Sequence, residues 1–250
     1  MTAQACIVAL EGPCCAGKTT LGHLLVRDLR GLTVTLVPCY ADHAGGGRFL
    51  PRQEAGSVPE REQALRQLLI VEAGRLAQAP HGCDVVLEDR SVHTLLAHSY
   101  ALQRMTGTAF LAPSARLLRD SPIPAWPDLV LYLDLPQKTV HDRNDGKFPP
   151  GSIYTDPDFN AAIRAYFRRL AGRKTPHVAW LDATLDLPEL AQLAAARIRQ
   201  ITACRDIKGA LWTRCRCRGG SSSPTGTASC PATRSGPRYG SAPPTPCTLS

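Results

Sequence analysis

The 250-residue sequence has no run of about 18 apolar residues, the length a helix needs to cross a bilayer, so neither a membrane span nor a membrane partner is expected. It also lacks a basic opening. The first residues, MTAQACIVALEGP, carry no lysine or arginine, and their short apolar stretch runs straight into a glycine turn. That reads as a first strand and not as a secretory leader, which places the chain in the cytoplasm. No CxxC pair occurs among the ten cysteines. Free thiols in a reducing compartment follow, in preference to a disulfide frame. Cys215-Arg-Cys217 has no histidine and no second close pair in the tail to complete a zinc set. Acidic residues are outnumbered 21 to 29, but unevenly: residues 1–204 hold 22 basic and 20 acidic residues, and residues 205–250 hold seven and one. The basicity belongs to the tail and the body is nearly neutral, so no specific nucleic-acid partner is expected.

The composition divides the chain into a body, residues 1–204, and a low-complexity basic tail, residues 205–250. Of the 32 residues from Gly219 to Ser250, 23 are Gly, Ser, Thr or Pro. Such a segment buries too little apolar surface to offset its chain entropy, and disorder is expected. The abrupt switch to Arg, Cys, Ser and Pro is also what reading a GC-rich gene out of frame would produce. A nucleic-acid-binding tail is the other alternative, although its basic residues are dispersed and Tyr239 is the only aromatic after Trp212.

The body alternates β-rich runs with amphipathic ones. Strands are expected at 6–10, 33–37, 84–87, 129–133 and 177–181. Helices are expected at 17–29, 60–79, 92–105, 136–143, 157–171 and 187–201, the fifth with Asp156 as N-cap. Strands that alternate with helices imply a parallel sheet covered on both faces.

The strongest motif is Gly12-Pro13-Cys14-Cys15-Ala16-Gly17-Lys18-Thr19, which fills every fixed position of G-x-x-x-x-G-K-[ST] between a strand and a helix. Backbone N–H groups of such a loop cradle phosphate oxygens at the positive end of a helix dipole. Lys18 would meet the β- and γ-phosphates of ATP, and Thr19, or less well Thr20, would ligate Mg²⁺. The fold class expected is therefore α/β: a three-layer P-loop NTPase fold with a parallel five-stranded sheet flanked by helices, plus the disordered C-terminal tail. Cys14 and Cys15 read either as small residues tolerated in a loop or as thiols acidified by the helix end.

A P-loop alone does not separate kinases from GTPases and ATPases. No guanine-reading N/T-K-x-D occurs, and Asp42-His-Ala-Gly45, which formally fits D-x-x-G, has no partner motif. Three segments add detail. Val85–Ser91 ends a buried strand with Glu88-Asp89-Arg90; Asp89 would hold Mg²⁺ or cap the next helix, and Arg90 would grip the acceptor. Asp128–Pro136 leads into Lys138, His141, Arg143 and Lys147, which read as a closing lid with Arg143 on the transferring phosphoryl group or as a solvated turn. Glu72 and Arg75, one turn apart, read as a surface pair or as acceptor recognition.

Together these segments resemble the thymidylate kinase and deoxynucleoside kinase family, from about Ile7 to Ile201. EGPCCAGKTTL, LLIVEAGRLAQ, VVLEDRSVHTLLAHSYA, DLVLYLDLP, TDPDFNAAIRAYFRRLA and WLDATLDLPEL carry the likeness. It implies an ATP-dependent, Mg²⁺-dependent kinase with a small-molecule acceptor, a nucleoside or nucleoside monophosphate. Lys18, Asp89 and Arg143 would be catalytic, and residues 12–20 would hold the nucleotide. Arg75, Arg90 and Asp42 would meet the acceptor, and Thr19 and Asp89 the metal. The family commonly carries an acidic residue and proline after the second strand; this chain has Val37-Pro38-Cys39-Tyr40-Ala41-Asp42. A small-metabolite or antibiotic kinase, a non-catalytic ATP-binding protein and a homodimeric assembly stay open.

Overall fold

Strand-forming residues dominate five short runs, and in the computed structural model these become β1 (Cys6–Glu11), β2 (Val34–Val37), β3 (Val85–Asp89), β4 (Leu129–Asp134) and β5 (His177–Asp182). The structure describes residues 5–52, 54–80 and 82–217, with side chains as far as Cys204. All strand pairs are parallel, in the order β2-β3-β1-β4-β5. The central strands are buried on both faces, which is why they read as near-continuous apolar runs and not as alternating ones.

The connections are helices α1 (Lys18–Asp28), α2 (Tyr40–His43), α3 (Val58–Leu76), α4 (Val92–Thr106), α5 (Leu111–Asp120), α6 (Gln137–Asp142), α7 (Pro157–Ala171) and α8 (Leu187–Cys217). Leu21 and Leu25 of α1 and Leu190, Ala194 and Ile198 of α8 pack on one face of the sheet. Ala97 and Ala101 of α4 and Phe159, Phe167 and Leu170 of α7 pack on the other, around Tyr132. The three layers follow. Buried Arg61 ties α3 to α4 by donating to Ser99 Oγ and to the Leu95 carbonyl, each at 3.0 Å.

Differences from the expected elements have local causes. α5 is absent from the expected elements; its Pro113 stands at the third helical position, where it gives up only an N–H that has no intrahelical partner. α2 is too short to show a period. α8 runs past Ile201, where the apolar spacing stops, because no proline and only Gly209 interrupt residues 202–217. By internal packing the chain divides into Met1–Ala210 and Leu211–Ser250; of the second unit only the backbone of the end of α8 is described. The tail expected to be disordered starts at residue 205, but the backbone of α8 continues through it to Cys217; the remainder of the tail, with Cys230 and Cys247, lies outside the described residues. Among the described residues no helix is long and apolar enough to cross a membrane.

At the start of α7, the Phe159 N–H donates to Asp156 Oδ1 at 2.8 Å, the N-cap read from the sequence. Asp156→Ala is expected to cost about 1 kcal/mol of folding free energy in urea titration; no loss would mean that the cap bond is idle.

Candidate active site

Parallel sheets place ligands at the carboxyl ends of their strands, where the strand order reverses. Here that point is β1, between β3 and β4, and the loop Gly12–Gly17 leaves it to enter α1. Gly12 has φ 134°, and a Cβ there would lie 2.4 Å from the Leu133 carbonyl oxygen of β4. The loop can pass β4 only without a side chain. Gly17 caps α1 in the left-handed region at φ 85°. Ala16 turns its methyl into the core, so only its backbone is available to the loop.

Lys18 is 7% exposed, and its Nζ donates to the Pro13 carbonyl at 2.6 Å and to the Gly12 carbonyl at 3.3 Å. Burial, with Arg90 alongside, lowers its pKa to about 8. Thr19 Oγ1 donates to Asp89 Oδ2 at 2.5 Å. Asp89 is 1% exposed, and its Oδ1 has no hydrogen-bond partner. The two residues chosen as metal ligands thus meet across the β1–β3 boundary.

Arg90 leaves β3 in the left-handed region, φ 68°, a conformation that costs a non-glycine residue about 1 kcal/mol or more. Its Nη2 reaches Cys14 Sγ at 3.4 Å. Ahead of the loop, buried Glu11 accepts from Ser91 N–H at 3.0 Å, Ser91 Oγ at 2.8 Å and Thr94 Oγ1 at 2.6 Å. Burial pushes the Glu11 carboxyl up in pKa against these bonds and the charge of Arg90. Glu11 therefore fastens the start of α4 to the end of β1. Cys15, also left-handed at φ 63°, has its thiol pushed up by burial and by Cys14, which removes the acidified-thiol reading for that residue.

These residues open onto one cleft of about 1140 Å³. Cys14, Cys15, Gly17, Lys18, Thr19, Thr20, Asp42, Asp89, Arg90 and Arg143 all line it, so the structure gathers most of the residues singled out in the sequence. Gly12 and Pro13 line a small adjoining recess with Cys14 and Arg90. Arg143 Nη1 donates to the Ala183 carbonyl at 3.1 Å, and Lys147 and Phe148 follow it along the rim. The cleft also holds residues the motifs did not reveal, Leu68, Thr94, Leu95, His98 and Tyr154, and of these Thr94, His98 and Tyr154 line the adjoining recess beside Gly12 and Pro13 as well. Burial, then Arg61 and Arg90, lowers His98 well below the ordinary imidazole range, which leaves it neutral. The signal that was available for Thr94 and His98 is their spacing on α4, one turn apart.

Arg75 is not brought to the cleft with the others. It is fully buried and does not line the cleft. It donates to the Pro38 carbonyl at 2.7 Å, the Asp89 carbonyl at 3.2 Å, the Arg90 carbonyl at 2.8 Å and Glu72 at 2.5 Å. Its guanidinium also stacks over the Tyr40 ring at 4.0 Å. Four of its five donors are spent on the protein, and through them it positions the ends of β2 and β3.

Among known proteins, an alignment 142 positions long makes the chain 31% identical to a thymidylate kinase of Xylella fastidiosa (strain M12). The match covers 52% of this chain and 58% of that protein. No family model matches the chain. Fold and likeness together support a P-loop kinase-like chain without selecting a member.

Arg75→Met is expected to destabilise the fold by about 3–5 kcal/mol, because three carbonyls and Glu72 lose their donor inside the protein. Urea unfolding checks this. A loss below about 1 kcal/mol would return Arg75 to the list of acceptor contacts.

Proposed function

We propose that the chain is an ATP-dependent phosphotransferase acting on a nucleoside, a nucleoside monophosphate or a similar small acceptor. The observation that carries this reading is the Thr19–Asp89 hydrogen bond beside Lys18, at the mouth of α1 and open to a cleft of about 1140 Å³. That cleft is large for one small molecule and suits a nucleotide with its acceptor.

The loop amides and Lys18 bind the phosphates, and Lys18 gives up the Pro13 and Gly12 carbonyls to do so. The residues fit Mg²⁺: the orphan Asp89 Oδ1 and the Thr19 hydroxyl are hard oxygen donors at the phosphate end of the cleft. Bound there, Mg²⁺ would neutralise charge on the transferring group. Arg90 enters the cleft from the end of β3 and orients the acceptor. The acceptor oxygen attacks the γ-phosphorus, the bond to the β–γ bridging oxygen breaks, and ADP leaves. Asp42 lines the cleft and takes the proton where the acceptor is a hydroxyl. Arg143, on the rim, stabilises the charge that develops. The neutral His98, with Thr94 and Tyr154, forms the acceptor end. A small-metabolite acceptor is the second reading, favoured by Cys39 at the end of β2 in place of an acidic residue.

Lys18→Ala is expected to lower kcat/KM by about 10²–10³-fold while far-ultraviolet circular dichroism stays unchanged. Radiolabelled ATP with a panel of nucleosides and monophosphates measures it; full turnover in the variant would sink the reading. A pH effect follows from Lys18. The free lysine keeps its proton below about 8 and loses it above. Bound phosphate favours the charged form, so ATP affinity should fall as pH rises through that value, with proton uptake on binding. Calorimetry in buffers of different ionisation enthalpy reads the uptake directly; heats independent of the buffer near pH 8 would contradict it.

A further inference from the structure

One group of side chains on the cleft wall shares Asp89 with the loop and adds a thiol to it. Cys39 follows β2, Asp42 stands one turn later on α2, and Asp89 ends β3. One ligand atom from each lies within 4.8 Å of the other two. We propose that Cys39, Asp42 and Asp89 bind a thiophilic divalent cation, of the zinc and cobalt class, in the nucleotide-free protein.

An acidic pair near a thiol would not carry this by itself. The decisive addition is Asp89, whose carboxylate is buried with Oδ1 unpartnered while Thr19 occupies Oδ2. A buried carboxylate oxygen without a donor is costly, and a cation in this position satisfies it. The other ligands are held or can adapt. Cys39 caps α2, its Sγ accepting the Asp42 N–H at 3.4 Å. Arg75 binds the neighbouring Pro38 carbonyl and the Asp89 carbonyl, so the ends of β2 and β3 cannot drift apart. Tetrahedral zinc with bonds of about 2.0–2.3 Å sets its ligand atoms roughly 3.3–3.8 Å apart. Exposed Asp42 supplies the small closing movement.

Binding exchanges bonds simply: the Cys39 S–H proton passes to the buffer as the metal–sulfur bond forms, and water takes the fourth position. Thiolate selects zinc or cobalt over magnesium, which prefers oxygen donors alone. Both cations require Asp89, so they exclude one another. That consequence for turnover rests on the proposed kinase reading, whereas the binding does not.

The test adds Co²⁺ to the nucleotide-free full chain carrying Cys215→Ser and Cys217→Ser, which removes the tail pair. One equivalent should raise a thiolate-to-cobalt charge-transfer band in the near ultraviolet, bleached by Zn²⁺. Cys39→Ser should abolish the band, and Asp42→Asn should weaken binding by about 10–100-fold. Serine is itself a good N-cap and Asp42 is exposed, so equal melting temperatures are expected and separate metal loss from misfolding. A missing band, or one undiminished in Cys39→Ser, overturns the site. Lys18→Ala should keep the band while losing transfer. A chain that transfers phosphate without the band sinks the metal site alone, and one with the band but no transfer sinks the kinase reading alone.

Discussion

A single buried guanidinium holds the carboxyl edge of the sheet together. Arg75 reaches from α3 to the backbone after β2 and to the last residues of β3, and Tyr40 covers its face. Two things depend on that grip. The carbonyls on either side of the Asp89–Arg90 bond are fixed while Arg90 sits in the left-handed region, so surrounding bonds offset the backbone strain. The same bonds set the distance between Cys39 and Asp89, and with it the width of the cleft wall. Glu11 performs the matching task on the other side, joining the end of β1 to Ser91 and Thr94. Between these two anchors the loop before α1 has little freedom.

Charge in the cleft is arranged against that rigid edge. Every strand but β2 ends in a carboxylate: Glu11, Asp89, Asp134 and Asp182. Each is given its own partners. Glu11 faces hydroxyls and an amide, Asp182 accepts from Thr184, Asp134 pairs with Arg164 through one oxygen only, and Asp89 likewise keeps one oxygen without a hydrogen-bond partner. The cations Lys18, Arg90 and Arg143 then face a space that contains one deeply buried unsatisfied acid. An anion accompanied by a cation suits that balance better than either alone.

Much of this was legible in the residues. β-branched and leucine-rich runs located all five strands, because strands buried on both faces need no polar alternation. The phosphate loop was legible because its glycines answer to backbone geometry and its Lys-Thr to phosphate and metal chemistry, both of which fix spacing. Arg75 was not legible. A glutamate and an arginine three residues apart look the same on a wet helix and on a dry one, and only the packing of α3 on α2, α4 and α5 distinguishes them. Cys39 was not legible as a ligand for a related reason: Asp89 is far away in sequence, and parallel register alone brings their strand ends together.

The contact between Gly12 and the Leu133 carbonyl has a consequence for how the chain can diversify. Position 12 admits no side chain, because the obstacle is the backbone of a central strand, which cannot move without shifting its pairing with β5. Cys14 and Cys15 face the open cleft instead. Natural drift or directed mutagenesis can therefore explore positions 14 and 15 as a tuning dial, while the first residue of the loop acts as a fixed pin shared with β4.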